Sequence, residues 1–252
     1  QDYAGTVDHM PHLLPHEELI NDHPTPFDTL ALASGSPAGM TVKNQTDYNS
    51  YTRDLHLKNR RIEPALAGFV LENYPKMLSG CRTKAIVSLF QNDKLIHKEA
   101  GEIIFKDDGV SGIVVMNLSS RFRRLPDREH CRLSINLTYW DEHFDLLSFL
   151  ESGHSMKGLL HPKLLAYYNR HPFFVQGLSF DIKDTYPMEA AQVAHGGINL
   201  TEVDHHFAAK KYRNLFILGE MLDVDGVCGG YNLFFAFASA AVAAQAISPS
   251  SR

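Results

Sequence analysis

The stretch from Leu215 to Ile247 constrains this 252-residue chain more than any other part. It opens with LFIL, Leu215 to Leu218, an unbroken apolar run of the kind a parallel strand buried on both faces requires. Gly219-Glu220 follows, then a Gly-rich loop, then the apolar run LFFAFASAAVAAQAI from Leu233 to Ile247. Strand, loop and helix in that order make half of a βαβ nucleotide-binding arrangement. The apolar run is shorter than the roughly 20 residues a membrane span needs, and it contains Ser239 and Gln245. It is expected to be a buried core helix, with no membrane association.

The rest of the chain divides by pattern. Pro11, Pro15, Pro24 and Pro26 interrupt a His-rich start. Phe27 to Ala33 is a short apolar run ending in Ser34-Gly35, a strand followed by a tight turn. Lys43 to Arg61 is polar and predicts a surface helix or loop. From Leu78 to Leu137 the pattern is that of strands. Lys84–Phe90, Lys94–His97, Glu102–Phe105, Gly112–Leu118 and Arg132–Leu137 are expected to form a small antiparallel sheet or barrel, with turns at Gln91-Asn92-Asp93 and Asp107-Asp108-Gly109. Between Trp140 and His171 the leucine spacing becomes helical, with Gly153 as a stop between two short helices. Ile198 to Val203 predicts a further strand before the Leu215–Leu218 run.

Composition excludes some classes of function. Hydrophobic residues make up 44% and charged residues 21%, which is ordinary for a globular chain. A net charge of -5, from 24 basic and 29 acidic side chains, lacks the basic field that nucleic-acid binding needs. Three cysteines, Cys81, Cys131 and Cys228, point to a reducing, cytoplasmic compartment and not to a disulfide framework. The start QDYAGTVDHM shows no secretory signal and no initiator Met, so a trimmed chain or a piece of a longer one is expected.

The loop after Leu218 carries the chemistry. Glu220, Asp223 and Asp225 fall within six positions. Crowded carboxylates repel one another and resist desolvation, so they call for donors, which sugar-like hydroxyls supply. Gly226, Gly229 and Gly230 remove side chains, so the backbone can approach a flat or anionic group closely. A helix beginning near Asn232 points free N–H groups and a positive dipole end at the same place. DVDG also resembles the start of a calcium loop, but the further ligand spacing and closing Glu are absent.

This segment resembles the C-terminal signature of the BaiN-like flavoproteins, also called the aminoacetone-oxidase-like FAD-binding family. That signature runs GE, two residues, DVDG, two residues, GGYNLQ, then a small-residue helix. Here it reads Gly219-Glu220, Asp223 to Gly226 and Gly229 to Leu233, with Phe234 in place of Gln. FDTLALASG (Phe27 to Gly35), PALAGF (Pro64 to Phe69), AGEIIFKDDGVSG (Ala100 to Gly112) and VAHGG (Val193 to Gly197) resemble other family segments in the same order, over about residues 27–252. Departures are Lys106-Asp107 for Thr-His, Ile113 for Pro, and Ala194-His195 where Thr precedes Gly-Gly. The family's G-x-G-x-x-G fingerprint, which seats the FAD pyrophosphate, occurs nowhere in the chain.

The resemblance implies an α/β flavin-binding domain of the glutathione-reductase-like kind, interrupted by an inserted β-barrel plus short helices. The expected boundaries are 1–74 and 189–252 for the flavin domain and 75–188 for the insertion. It implies FAD as cofactor, lost or weakly held where the fingerprint is missing, and redox chemistry on an unidentified small-molecule substrate. The implied cofactor residues are Ser34, Gly35, Gly197, Gly219, Glu220, Asp223, Asp225, Gly226, Gly229, Gly230, Tyr231 and Asn232. Glu220 and Asp223 would bind ribityl hydroxyls, and the Gly229–Asn232 backbone would face the pyrimidine end of the ring. His195 falls near the flavin in this scheme, as an acid/base or, more economically, a hydrogen-bonded core histidine. No residue stands out as a proton-transfer group. Arg121, Arg123, Arg124, Arg128 and Arg132 could take an NAD(P)H phosphate, but a solvated basic loop explains them more simply. Cys228 and the pairs Tyr139-Trp140 and Phe173-Phe174 read as packing residues, and His205-His206 as a surface turn. Two other functions stay open: a non-catalytic flavoprotein-like module acting by partner binding, and a metal-ion-binding protein using DVDG and the histidines His9, His12, His16 and His23. Oligomeric state is not legible.

Overall fold

The computed structural model describes residues 29–39, 55–138, 144–171, 177–212 and 214–247. The His-rich start, Tyr139-Trp140 and Phe173-Phe174 lie outside them. In chain order the elements are β1 (Leu30–Leu32), β2 (Asn59–Ala65), β3 (Phe69–Leu71), β4 (Arg82–Gln91), β5 (Lys94–Phe105), β6 (Gly109–Ser111), α1 (Ile113–Arg123), β7 (Cys131–Asn136), α2 (Leu146–Glu151), α3 (Pro162–Arg170), β8 (Leu178–Thr185), β9 (Val193–Ile198), β10 (Leu215–Ile217) and α4 (Tyr231–Ile247). The chain falls into two compact units, Gln1–Glu63 with Val193–Arg252, and Pro64–Gln192.

The second unit is a closed barrel in the order β3-β6-β5-β4-β7-β8. Its register comes from period-two burial. Ala85, Val87 and Leu89 of β4 face inward, as do Cys131, Leu133 and Ile135 of β7, while their neighbours face out. The β4–β5 hairpin turns at Asn92 and Asp93, both with positive φ, as the turn residues in the sequence require. The strands read separately at Lys94–His97 and Glu102–Phe105 are one strand, β5.

Gly112–Leu118, read as a strand, begins a helix instead. Val114, Val115, Leu118 and Phe122 of α1 are buried at helical spacing, and Phe122 meets the Phe69 ring edge-on at 5.4 Å between centroids. Nor is the arginine cluster a solvated loop. Arg123 is buried: its Nε donates to the Pro64 carbonyl at 3.1 Å, and its Nη2 donates to Asp184 at 2.9 Å and to the Thr185 hydroxyl. Arg124 donates to the Ser120 carbonyl, Arg128 to the Arg123 carbonyl, and Arg132 pairs with Asp93 across the Phe90 ring.

In the first unit β1 and β10 pair in parallel, Leu30 with Leu215 through Leu32 with Ile217, which agrees with the buried character of LFIL. β2 and β9 form a second two-stranded sheet. The stretch read as polar surface helix or loop therefore ends in a strand from Asn59 onward. The strand expected at Ile198–Val203 lies earlier, at β9, whose residues are all buried. Gly196 is why the strand can run there: a Cβ on it would sit 2.2 Å from the Arg61 carbonyl oxygen.

The helix α4 begins where expected, but it is not buried all round. Its inner face is small, with Ser239 and Ala243 buried, and Ser239 Oγ accepts the Gly219 N–H at 3.1 Å. Leu233, Phe234 and Phe237 are 68–75% exposed. Small side chains meet the Gly219 turn, where Ala236 would lie 3.3 Å from a Cβ on Gly219, while Phe235 packs edge-on against Phe207 at 5.9 Å. No helix among the described residues is long and apolar enough to cross a membrane.

Candidate functional site

The first unit gathers most of the residues read from the sequence around one loop. β10 delivers the chain into a short 3₁₀ turn, Gly219–Met221. The loop then runs past Asp223 and Asp225 to the start of α4. Its path is fixed by backbone contacts: Asp223 N–H donates to the Ile198 carbonyl at 2.8 Å, and Leu222 N–H to the Gly219 carbonyl at 3.1 Å. Gly197, buried in β9, lets this happen. A Cβ there would lie 2.8 Å from the Met221 carbonyl oxygen and 3.1 Å from the Asp223 nitrogen. Gly197 therefore backs the loop, seating its main chain.

Each carboxylate has a partner. Glu220 accepts from the Ser36 hydroxyl at 2.5 Å. Burial pushes the Glu220 carboxyl above its ordinary range; the Ser36 bond opposes this and the charge of Asp225 adds to it. Asp223 Oδ2 lies 3.5 Å from Arg60 Nε. Asp225 Oδ1 lies 2.8 Å from His195 Nδ1, with both side chains nearly inaccessible. His195 is thus the hydrogen-bonded core histidine. At the far end of the loop, Gly226 N–H donates to Asn232 Oδ1 at 2.7 Å, and Asn232 Nδ2 donates back to the Gly226 carbonyl at 3.2 Å. Asn232 therefore clamps the loop.

Ser34, Gly229, Gly230 and Tyr231 are exposed, and Gly35 is half-buried at the end of β1. Ser36 links the β1 turn to the loop through Glu220. Neither Ser36 nor Arg60 stands out in the sequence. Ser36 sits one position beyond the motif, and Arg60 lies in a stretch that reads as polar surface. Cys228 is half-buried.

The donor set suits the ribityl and ring portion of a flavin. It offers half-buried carboxylates able to accept from hydroxyls, two exposed glycines, and the first amides of a 17-residue helix, which have no intrahelical acceptors. Among the described residues, metal-ligand spacing occurs at Asp204, His205 and His206 and not at DVDG. There Asp204 Oδ1 is taken by the His206 and Ala208 amides, so the group acts as a turn cap. A separate cavity of about 610 Å³ lies in the barrel unit, lined by Lys106, Asp107, Asp108 and Tyr186 among others. Tyr186 donates to Asp108 at 2.5 Å there; burial and that bond push its phenol above the ordinary range.

Comparison with known proteins agrees with this geometry. Residues 175–246 match the HI0933-like protein Rossmann domain. The chain is similar to a 3-dehydro-bile acid delta(4,6)-reductase of Clostridium scindens, with 25% identity over 257 aligned positions, covering 88% of this chain and 62% of that protein. It therefore spans less than two thirds of that relative's length. The strand, loop and helix of the first unit lie in the matched Rossmann-domain region, and both comparisons support the resemblance to the BaiN-like flavoproteins.

Proposed function

We propose that the chain supplies the ribityl- and ring-binding part of an FAD-dependent oxidoreductase. The observation that carries this is the Gly219–Asn232 loop, held between a buried parallel strand and a helix N-terminus and matched within the family region. Glu220 and Asp223 accept from the ribityl hydroxyls. The amides of Gly229 to Asn232 face the pyrimidine edge, where negative charge gathers on reduction. Ser34 and Gly35 flank the site from the β1 turn, and Gly197 backs it. The cofactor, when bound, supplies hydride or electron transfer, and the protein positions and tunes it. The chemistry is electron or hydride exchange with a small organic substrate.

Absorbance tests the reading. The purified chain, alone or after incubation with FAD, is expected to show protein-bound flavin bands after gel filtration. A chain that stays colourless and leaves FAD fluorescence unquenched refutes it.

A further inference from the structure

Side chains from three separate stretches meet behind the acidic loop. Arg60 comes from β2, His195 from β9, and Asp223 and Asp225 from the loop itself. The His195 and Asp225 side chains are 4% and 2% exposed, and His195 Nδ1 lies 2.8 Å from Asp225 Oδ1. On the other side of the ring, Nε2 lies 3.3 Å from Arg60 Nη1. A guanidinium only donates, so Nε2 accepts. The imidazole's single proton then sits on Nδ1 and points at Asp225. Arg60 reaches Asp223 as well, with Nε 3.5 Å from Oδ2. Arg60 thus ties down both carboxylates, Asp223 directly and Asp225 through the imidazole. Without these partners, two poorly solvated carboxylates would be drawn out toward water.

We propose that His195 is a positioning residue. As the neutral Nδ1–H tautomer, fixed by Arg60, it holds Asp225 and so gives the Gly219–Asn232 loop its ligand-binding shape before any ligand arrives. The inference rests on the flavin reading only for what the loop then receives. It also removes His195 as a general acid or base, because both ring nitrogens are engaged and the ring is shut off from solvent.

Three variants test it in the ligand-free chain. His195→Leu deletes both bonds, His195→Asn keeps an N–H donor where Nδ1 stood, and Arg60→Ala frees Nε2 from a half-exposed position. Amide hydrogen exchange of residues 220–230 is the main readout, with β10 amides as the control for folding. The wild-type loop is expected to be protected without ligand, His195→Leu to lose that protection, and His195→Asn to keep it. Where FAD binds, its Kd is expected to rise at least about tenfold in His195→Leu and to stay within about twofold in His195→Asn. Nitrogen-15 spectra of the imidazole are expected to show the Nδ1–H tautomer in the wild type and a mixture in Arg60→Ala. Unchanged loop exchange in a folded His195→Leu, or a wild-type ring carrying its proton on Nε2, overturns the proposal. Should His195→Leu unfold the first unit, failure of His195→Asn to protect the loop overturns it equally. A wild type that takes up no FAD sinks the flavin reading alone, since exchange and tautomer are read without ligand.

Discussion

Replacing Gly197 by Ala should separate two costs that are usually confounded. Gly197 has φ of 123°, a conformation that L-residues rarely adopt, and an added Cβ would meet the Met221 oxygen at 2.8 Å and the Leu222 carbon at 3.0 Å. Gly35 has φ of 74° and open space where its Cβ would go. Backbone strain alone costs about 1–2 kcal/mol at either position. At Gly197 the obstruction is main chain, which cannot swing away as a flexible side chain would. Relief requires β9 and the loop to part, losing the Asp223 N–H bond to Ile198, worth about 1 kcal/mol. Overpacking adds about 1–3 kcal/mol. Gly197→Ala is therefore expected to cost about 3–6 kcal/mol and Gly35→Ala about 1–2. Urea unfolding monitored at the first unit, with hydrogen exchange at Asp223, measures both. If Gly197→Ala costs no more than Gly35→Ala, or leaves the Asp223 amide protected, the account of loop seating fails.

Other outcomes follow from the same geometry. Arg123→Ala in the barrel should destabilise that unit by about 2–4 kcal/mol in urea unfolding, since a buried guanidinium and the Pro64 carbonyl lose their bonds. The share from Asp184 is small because its side chain is 61% exposed, and Arg123→Lys, which lacks the fork, should recover only part. Glu220 has its carboxyl raised by burial, so the folded state holds that proton more tightly than the unfolded state. Its contribution is present below the ordinary glutamate range and is lost as pH rises through the elevated folded value. Unfolding midpoints of the wild type minus those of Glu220→Gln should therefore fall as pH climbs through that window and then level off. A difference independent of pH would refute the burial argument. Glu220→Gln should also weaken FAD retention after gel filtration, the accepting oxygen count being halved.

Features governed by local rules are legible in the sequence. The hairpin at Asn92-Asp93, the turn at Asp107-Asp108, the short helices around Gly153 and the parallel character of LFIL all express turn chemistry or burial period. The helix α1 is not legible, because Ile113-Val114-Val115 is β-branched and its helical face shows only with Leu118 and Phe122 counted in. Arg60 is not legible either, since its role depends on pairing across strands distant in sequence. The exposure of α4 escapes because apolarity reports what a helix can bury and not what covers it. In the loop, the residue types can be read from the motif. The partners cannot: Ser36, Arg60 and His195 come from three other segments.

The two-way clamp between Asn232 and Gly226 bears on the thermodynamics of binding. Glycine-rich segments lose the most conformational freedom when ordered. Here that freedom is lost on folding, through a short closed ring that needs no ligand. Association should therefore be almost free of an ordering penalty. Calorimetry would show a heat-capacity change set by apolar contact alone, without the excess that coupled folding adds. Breaking the clamp, as in Asn232→Ala, would shift that entropy loss from folding to binding and leave the contacts unchanged.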